Sequence, residues 1–440
     1  MWATACNRIT VDINCDSFDP FRLGINPAGF AMRAQSKSMN RGVDRFKTPR
    51  TVMNAPPEKI TTETDATAAT WDNLSSLLVD IRARRNEFAR AQKIPDEIIE
   101  GFKRVGVYRA LAAKRFGGDE RTPADFCRLI ERISEADGSA GWVASFGDGA
   151  RYLAALPDDT LRKVYANGPD VVLAGALFPL QPARRSTDGF VVNGVWPFAS
   201  GSPGADLIGV GITVEDDPTG GLARVAVMPA EKVTIRPNWD VVGLQGTGSH
   251  DVVVNDVIVP EEWTLIRGGP PTLDAPVYRY PSVTFAAQAH AIVGIGIARS
   301  ALDEVIAMAG SRASITGAPV MAERGYVQLE MARAEAMLRS ARSFFYEATE
   351  ELWKEALKDT VNPSTATLMR LAATNAARQS AEVCNIASGL AGSASLYTTS
   401  NLARAMCDSF VVAQHAALNE GTLQSAGRLL LGSAAQPGFP

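Results

Sequence analysis

Cysteine is scarce in this chain and poorly placed for chemistry. Five residues in 440 (Cys6, Cys15, Cys127, Cys384 and Cys407) are scattered, and none forms a CxxC pair. That pattern argues against a disulfide framework or a structural zinc site and points to a reducing cytoplasm. Histidine is rarer, at three residues (His250, His290 and His415), so no metal is expected and each imidazole can be weighed separately. No apolar run approaches the roughly 20 residues that span a bilayer. The first fifty residues also lack the apolar core of a secretory signal. With 44 basic against 48 acidic residues and a net charge of −4, no basic field would draw the chain to nucleic acid or an anionic membrane. The glycine pair in GIGIA (Gly294 and Gly296) lies in helical sequence, so it signals close helix packing and not a dinucleotide loop.

What is present is an ordinary globular composition, 46% hydrophobic and 21% charged, long enough for two or three cores. Residues 1–68 lack a sustained hydrophobic period and read as a poorly ordered extension. Residues 69–168 are helical: Leu74, Leu77, Leu78 and Ile81 recur at helical spacing, and Thr122-Pro123-Ala124-Asp125 opens a capped helix. Gly141 to Leu156 continues as a buried, mostly apolar helix. Residues 169–277 change to short β-branched runs punctuated by Gly, Pro, Asp and Asn, a small antiparallel β domain. Residues 278–440 return to long Ala-rich stretches of bundle type, among them one from Leu402 to Leu431.

The segment GFVVNGVWPFASGSPGAD, Gly189 to Asp206, carries the most information. A strand runs into Trp196 and Phe198, and then Ala199-Ser200-Gly201 must turn tightly. An aromatic edge followed by a small hydroxyl beside glycine makes a shelf for a planar ring, with Ser200 free to hydrogen-bond it. A plain β-turn is the other reading, because Gly and Ser dominate turns for local reasons.

Three segments resemble the acyl-CoA dehydrogenase fold superfamily: GVWPFASG, the GTGSHDVV…VIVP stretch from Gly246 to Pro260, and QHAALNEGTLQSAGRLLLG. The resemblance covers about residues 72–435. It implies an α+β fold with an N-terminal helical domain, a middle antiparallel β-barrel and a C-terminal four-helix bundle. The dehydrogenases' T-E-P-x-A-G-S-D signature is replaced by Val172-Leu173-Ala174-Gly175-Ala176-Leu177-Phe178-Pro179, and VWPFASG resembles the two-component flavin hydroxylases of phenols and indoles. That branch implies a monooxygenase. It would take reduced FMN or FAD from a separate NAD(P)H-flavin reductase, form a C4a-hydroperoxyflavin with O2, and hydroxylate a small aromatic substrate. A cytoplasmic homotetramer is implied as well.

The resemblance also nominates residues. Ser200 would act near the flavin N5, with Trp142, Trp196, Phe198 and Gly201 around the ring. Arg312 would pair with a flavin phosphate across a subunit interface, and Gly389, Gly392 and Ser393 would form a loop near the cofactor. His415 matches a histidine of the hydroxylases, although Cys407 and Phe410 depart from their R-D-x-H pattern. Asp408, seven residues earlier, would share its helical face. Hydroxylases of phenols often carry a histidine where this chain reads FGDGARY, so Asp148 or Arg151 would meet the substrate instead. His290 reads as a core histidine or a substrate wall, and His250 as an exposed turn residue. Glu420 matches the E-G-T of the dehydrogenases, whose glutamate is the catalytic base. An acyl-CoA dehydrogenase or oxidase with Glu420 as the base therefore stays open as the alternative.

Overall fold

The computed structural model describes residues 65–215, 222–310 and 319–434, so most of the expected extension and Arg312 lie outside the described residues. Residues Glu63–Pro440 form one compact unit. The chain begins with α1 (Asp65–Ala91), α2 (Asp96–Val105), α3 (Pro123–Ala136), α4 (Gly138–Ser145), α5 (Gly149–Leu153) and α6 (Asp158–Val164). Seven strands follow: β1 (Leu173–Ser186), β2 (Gly189–Trp196), β3 (Leu207–Val214), β4 (Arg224–Pro229), β5 (Thr234–Arg236), β6 (Asp251–Val259) and β7 (Thr264–Ile266). The helices α7 (Pro276–Arg279), α8 (Ser282–Ala309), α9 (Gly325–Leu357), α10 (Pro363–Ala391), α11 (Asn401–Ala413) and α12 (Glu420–Leu430) complete it.

Local chemistry explains most boundaries. Thr122 Oγ1 accepts from Asp125 N at 3.1 Å with Pro123 in the first turn, which starts α3. Gly106, at φ 81°, ends α2 in the left-handed conformation that glycine adopts without cost. The single helix expected over Gly141–Leu156 is broken: a 3₁₀ turn over Phe146–Asp148 separates α4 from α5. The stretch from Leu402 to Leu431 is also broken, because the side chains of His415 and Asn419 each accept a backbone N–H and restart the chain.

The sheet order is β5-β6-β2-β1-β3-β4-β7. A wholly antiparallel barrel is corrected in one place: β1 and β3 pair in parallel, and the other neighbours are antiparallel. The cause is the connection over residues 197–206, which carries the chain from β2 back to the far side of β1. One face of the sheet buries Phe190, Val192 and Trp196 with Val252 and Val254. In the helical layer, α8 is buried along most of its length and packs on α3, α10 and α11. At Gly296 a Cβ would lie 2.5 Å from Glu131 O, so only glycine permits that approach of α3.

Candidate functional site

Helix α4, the turn after β2, helix α8 and the turn after α11 converge on one buried cluster. Trp142 Nε1 donates to Ser200 Oγ at 3.1 Å, joining helix to sheet. Ser200 Oγ lies 2.7 Å from Ser249 Oγ, which lies 2.7 Å from Thr247 Oγ1, and Thr247 Oγ1 donates to Leu244 O at 2.9 Å. A hydroxyl has one proton to give. Thr247 gives its proton to Leu244, so it must accept from Ser249. Ser249 must then accept from Ser200. The proton of Ser200 is therefore directed at Ser249, and the lone pair left after Trp142 can only accept. The relay makes Ser200 an acceptor for an incoming N–H.

Behind this serine stand three rings. Trp142 and His290 have centroids 4.6 Å apart, Trp142 and His415 5.5 Å, and His290 and His415 4.5 Å. Phe146, from the turn that breaks the first helical stretch, lies 5.4 Å from His290. Burial, and then the field of Arg267, bring the pKa of His415 down to about 4. Burial and the neighbouring His415 push that of His290 well below the ordinary imidazole range. Both rings are neutral at physiological pH. His415 Nδ1 accepts from Ala417 N at 3.3 Å, which leaves the ring proton on Nε2 as a donor. His290 Nδ1 is buried without a hydrogen-bond partner.

The shelf itself is built of strained backbone. Phe198 has φ 63°, a conformation that costs a non-glycine residue about 1–3 kcal/mol. Ala199 N, which donates to His250 O at 3.1 Å, and Ser200 N, which donates to Phe198 O at 2.9 Å, hold it there. The result is a phenyl ring 67% exposed, edge-on to Trp239 at 6.0 Å. Gly201, at φ 74°, leaves space beside it that only Val143 approaches. An exposed aromatic ring, an acceptor hydroxyl and an open glycine fit a planar heterocycle with a ring N–H, as reduced flavin has.

Several nominated residues fall elsewhere. Trp196 is fully buried in the sheet core, its Nε1 donating to Gly211 O at 2.9 Å, so it supports the shelf from below and offers no ring to a ligand. Asp408 is not on one helical face with His415, because α11 ends at Ala413. It accepts from Leu244 N at 2.6 Å and sits in a buried network with Asp137, Arg404 and Arg85, a tie between sheet and bundle. Burial, with Asp137 adding, pushes its carboxyl up to about 7. Glu420 is 84% exposed on the first turn of α12, 3.7 Å from Arg378 and outside the cluster. Gly389, Gly392 and Ser393 are exposed at the end of α10 and stand apart from it as well.

Asp148 and Arg151 are buried, as a substrate wall requires. Arg151, however, donates to the carbonyls of Val277 and Tyr280 and packs its guanidinium 4.5 Å from the Phe285 ring centroid, which makes it a clamp between elements. Burial pushes the Asp148 carboxyl up to about 7, against the pull of Arg151 and Arg267. His250 is not exposed: its Nδ1 accepts from Asn238 N and Trp239 N, both at 3.1 Å. Sequence reasoning passed over Thr247 and Ser249, although both stand in the GTGS motif, and it missed Arg267 entirely. A lone arginine closing the apolar strand TLI was the one signal available for it.

Comparison with known proteins agrees with this geometry. The family described as acyl-CoA dehydrogenase, C-terminal domain, matches residues 288–420. The indole-3-acetate monooxygenase of Pseudomonas putida is 52% identical over 359 residues, 81% of this chain and 92% of its own length. The oxygenase subunit HsaA of a flavin-dependent monooxygenase from Rhodococcus jostii (strain RHA1) is 31% identical over 54% of this chain and 65% of its own. The solved structure of XiaF from Streptomyces sp., in complex with FADH2 and glycerol, superimposes with a TM-score of 0.75 at 22% identity, covering 86% of this chain and 100% of that one. The chain belongs to the family of flavin-dependent monooxygenases built on the acyl-CoA dehydrogenase fold. Among the described residues no helix is long and apolar enough to cross a membrane, and no group of acidic, histidine and cysteine side chains is placed to hold a metal ion.

Proposed function

We propose that the chain hydroxylates an indole-type aromatic acid with reduced FMN or FAD, delivered by a separate reductase, and O2, at the cluster of Trp142, Ser200, His290 and His415. The observation that carries this reading is the one-way hydroxyl relay, which leaves Ser200 able only to accept, beside two neutral imidazoles. When bound, the reduced flavin supplies the two electrons that split O2, one oxygen atom passing to the substrate and the other leaving as water.

The protein's part is to hold protons and keep water out. Ser200 Oγ accepts from a ring N–H of the flavin and so retains that proton, while Trp142 and Phe198 cover the ring with apolar surface. His415 Nε2–H donates to an oxygen in the reacting space, and the His290 ring beside it forms part of the substrate wall. Two imidazoles held neutral this strongly are weak bases for making a phenolate. An indole is already electron-rich and needs none, and the 52% identical relative is named for an indole substrate.

The same reading gives Arg312, Gly389, Gly392 and Ser393 to a flavin shared with a neighbouring subunit of a homotetramer. Leu396 and Tyr397, 80% and 70% exposed beside that glycine turn, suit burial by a second subunit.

Anaerobic ultrafiltration tests the proposal. The purified protein is expected to retain reduced flavin and release it on oxidation. A stably yellow protein that an acyl thioester bleaches would replace this reading with the dehydrogenase one.

A further inference from the structure

We propose that Arg267 reads the carboxylate of the substrate, with Arg370 behind it, while the substrate's aromatic ring lies against Trp142, His290 and His415. The inference rests on the aromatic-hydroxylase reading of that site and adds the residues that select the acid group.

Arg267 follows β7, where its N donates to Ala223 O at 2.9 Å and fixes the root of the side chain. The side chain is half-buried; it shares a hydrogen bond with the Tyr152 side chain, while its Nε is buried with no partner. Among the described residues it takes part in no ion pair. Its field reaches both imidazoles and Arg370, lowering the proton affinity of each, and it also reaches Asp148 and Tyr152.

Arg370 is tied to the histidine turn by a chain of contacts. Its Nη2 donates to Thr422 Oγ1 at 3.4 Å, Thr422 Oγ1 donates to Ala417 O at 3.4 Å, and Ala417 N donates to His415 Nδ1 at 3.3 Å. Two like-charged guanidinium groups, Arg370 buried and Arg267 half-buried, therefore lie near enough to each other and to the ring cluster for their fields to act. Like charges so held repel, and an anion placed with them offsets both that repulsion and the cost of desolvation. Asp148 is a poor source of the anion, because burial favours the neutral form of its carboxyl. Arg151 is held between elements by two backbone carbonyls and the Phe285 ring, with Nη1 alone unpartnered, so it cannot offer a carboxylate its fork. A carboxylate matches the planar fork of a guanidinium, which donates two parallel bonds to it.

The test is an internal competition. Indole-3-acetate and its neutral isostere indole-3-acetamide are mixed at equal concentration with enzyme, reduced FMN and O2, and the ratio of the two products is measured. Product partition reports the ratio of kcat/KM values and does not depend on how much of a variant is folded. The wild type should favour the acid, and Arg267→Gln should lower that preference roughly 10–100-fold. Arg267→Lys, which keeps the charge but loses the fork, should keep the sign of the preference and lose roughly 3–10-fold. A wild type indifferent to the acid, or an Arg267→Gln or Arg267→Lys variant with the wild-type ratio, overturns the assignment. Absence of turnover of either compound by the wild type overturns the hydroxylase reading instead.

Discussion

The direction of the hydroxyl relay can be reversed by one substitution, Thr247→Val. Valine keeps the branched shape and loses the oxygen that accepts from Ser249 and donates to Leu244 O. Leu244 O still receives Trp239 Nε1 at 3.0 Å and Thr247 N at 3.2 Å, so no carbonyl is left bare and the fold should lose only about 1 kcal/mol. The proton of Ser249 then has no acceptor but Ser200 Oγ. Ser200 in turn must point its own proton outward, toward a flavin N–H that is itself a donor. Two donors facing each other in a buried site cost about 1–3 kcal/mol, which lowers retention of the flavin proton roughly tenfold. The assay is the ratio of H2O2 released to hydroxylated product at saturating substrate, run beside Ser200→Ala as a reference. The expected result is a ratio raised about tenfold in both variants, with urea denaturation showing the small stability loss. Wild-type coupling in Thr247→Val, with Ser200→Ala uncoupled, would refute the argument that the orientation of Ser200 matters.

Other substitutions separate the cluster from its surroundings. His415→Asn keeps a side-chain acceptor for Ala417 N but removes the ring donor, so product formation should fall at least roughly 100-fold with a modest stability loss; near-normal turnover would remove His415 from the chemistry. Glu420→Gln should leave turnover within about twofold, since the carboxylate is exposed and meets only Arg378; a large loss would restore the glutamate as a base. Asp408 gives a pH prediction with a definite sign. Its folded pKa of about 7 lies above the ordinary 3.8, so the stability of its protonated form is fully present below pH 3.8 and lost as pH rises through 7. That loss is on the order of 4 kcal/mol. Asp408→Asn keeps the acceptor for Leu244 N and should flatten this part of the pH–stability curve, as denaturation at pH 5 and pH 8 would show; an unchanged slope would mean Asp408 does not titrate there.

Much of the fold was legible because its signals are local. The cap at Thr122, the stop at Gly106 and the close approach at Gly296 each follow from one or two residues. The alternation that places β2 also makes Trp196 a core residue, since it shares a face with Phe190 and Val192. Phe198 differs from it because its positive φ turns the ring outward. The breaks before α5 and α12 were missed, since they depend on capping by side chains and on packing against distant chain. The site was legible residue by residue but not as a whole. Ser200, Trp142, His290 and His415 meet through contacts between residues 58 to 273 positions apart, and no periodicity reports those. Thr247 and Ser249 were visible as a fold motif, and only their geometry shows what they do to Ser200. Arg267 looks like a strand-end arginine until its buried, unpartnered Nε is seen.

The most direct test of the central claim follows the oxygen atom. Purified protein, a flavin reductase, NADH and indole-3-acetate are incubated under 18O2, and the product is analysed by mass spectrometry. Monooxygenation at this cluster predicts one 18O atom per product molecule, in a yield that Ser200→Ala lowers while H2O2 release rises. A product whose new oxygen comes from water, or substrate consumption that needs no O2, would contradict it.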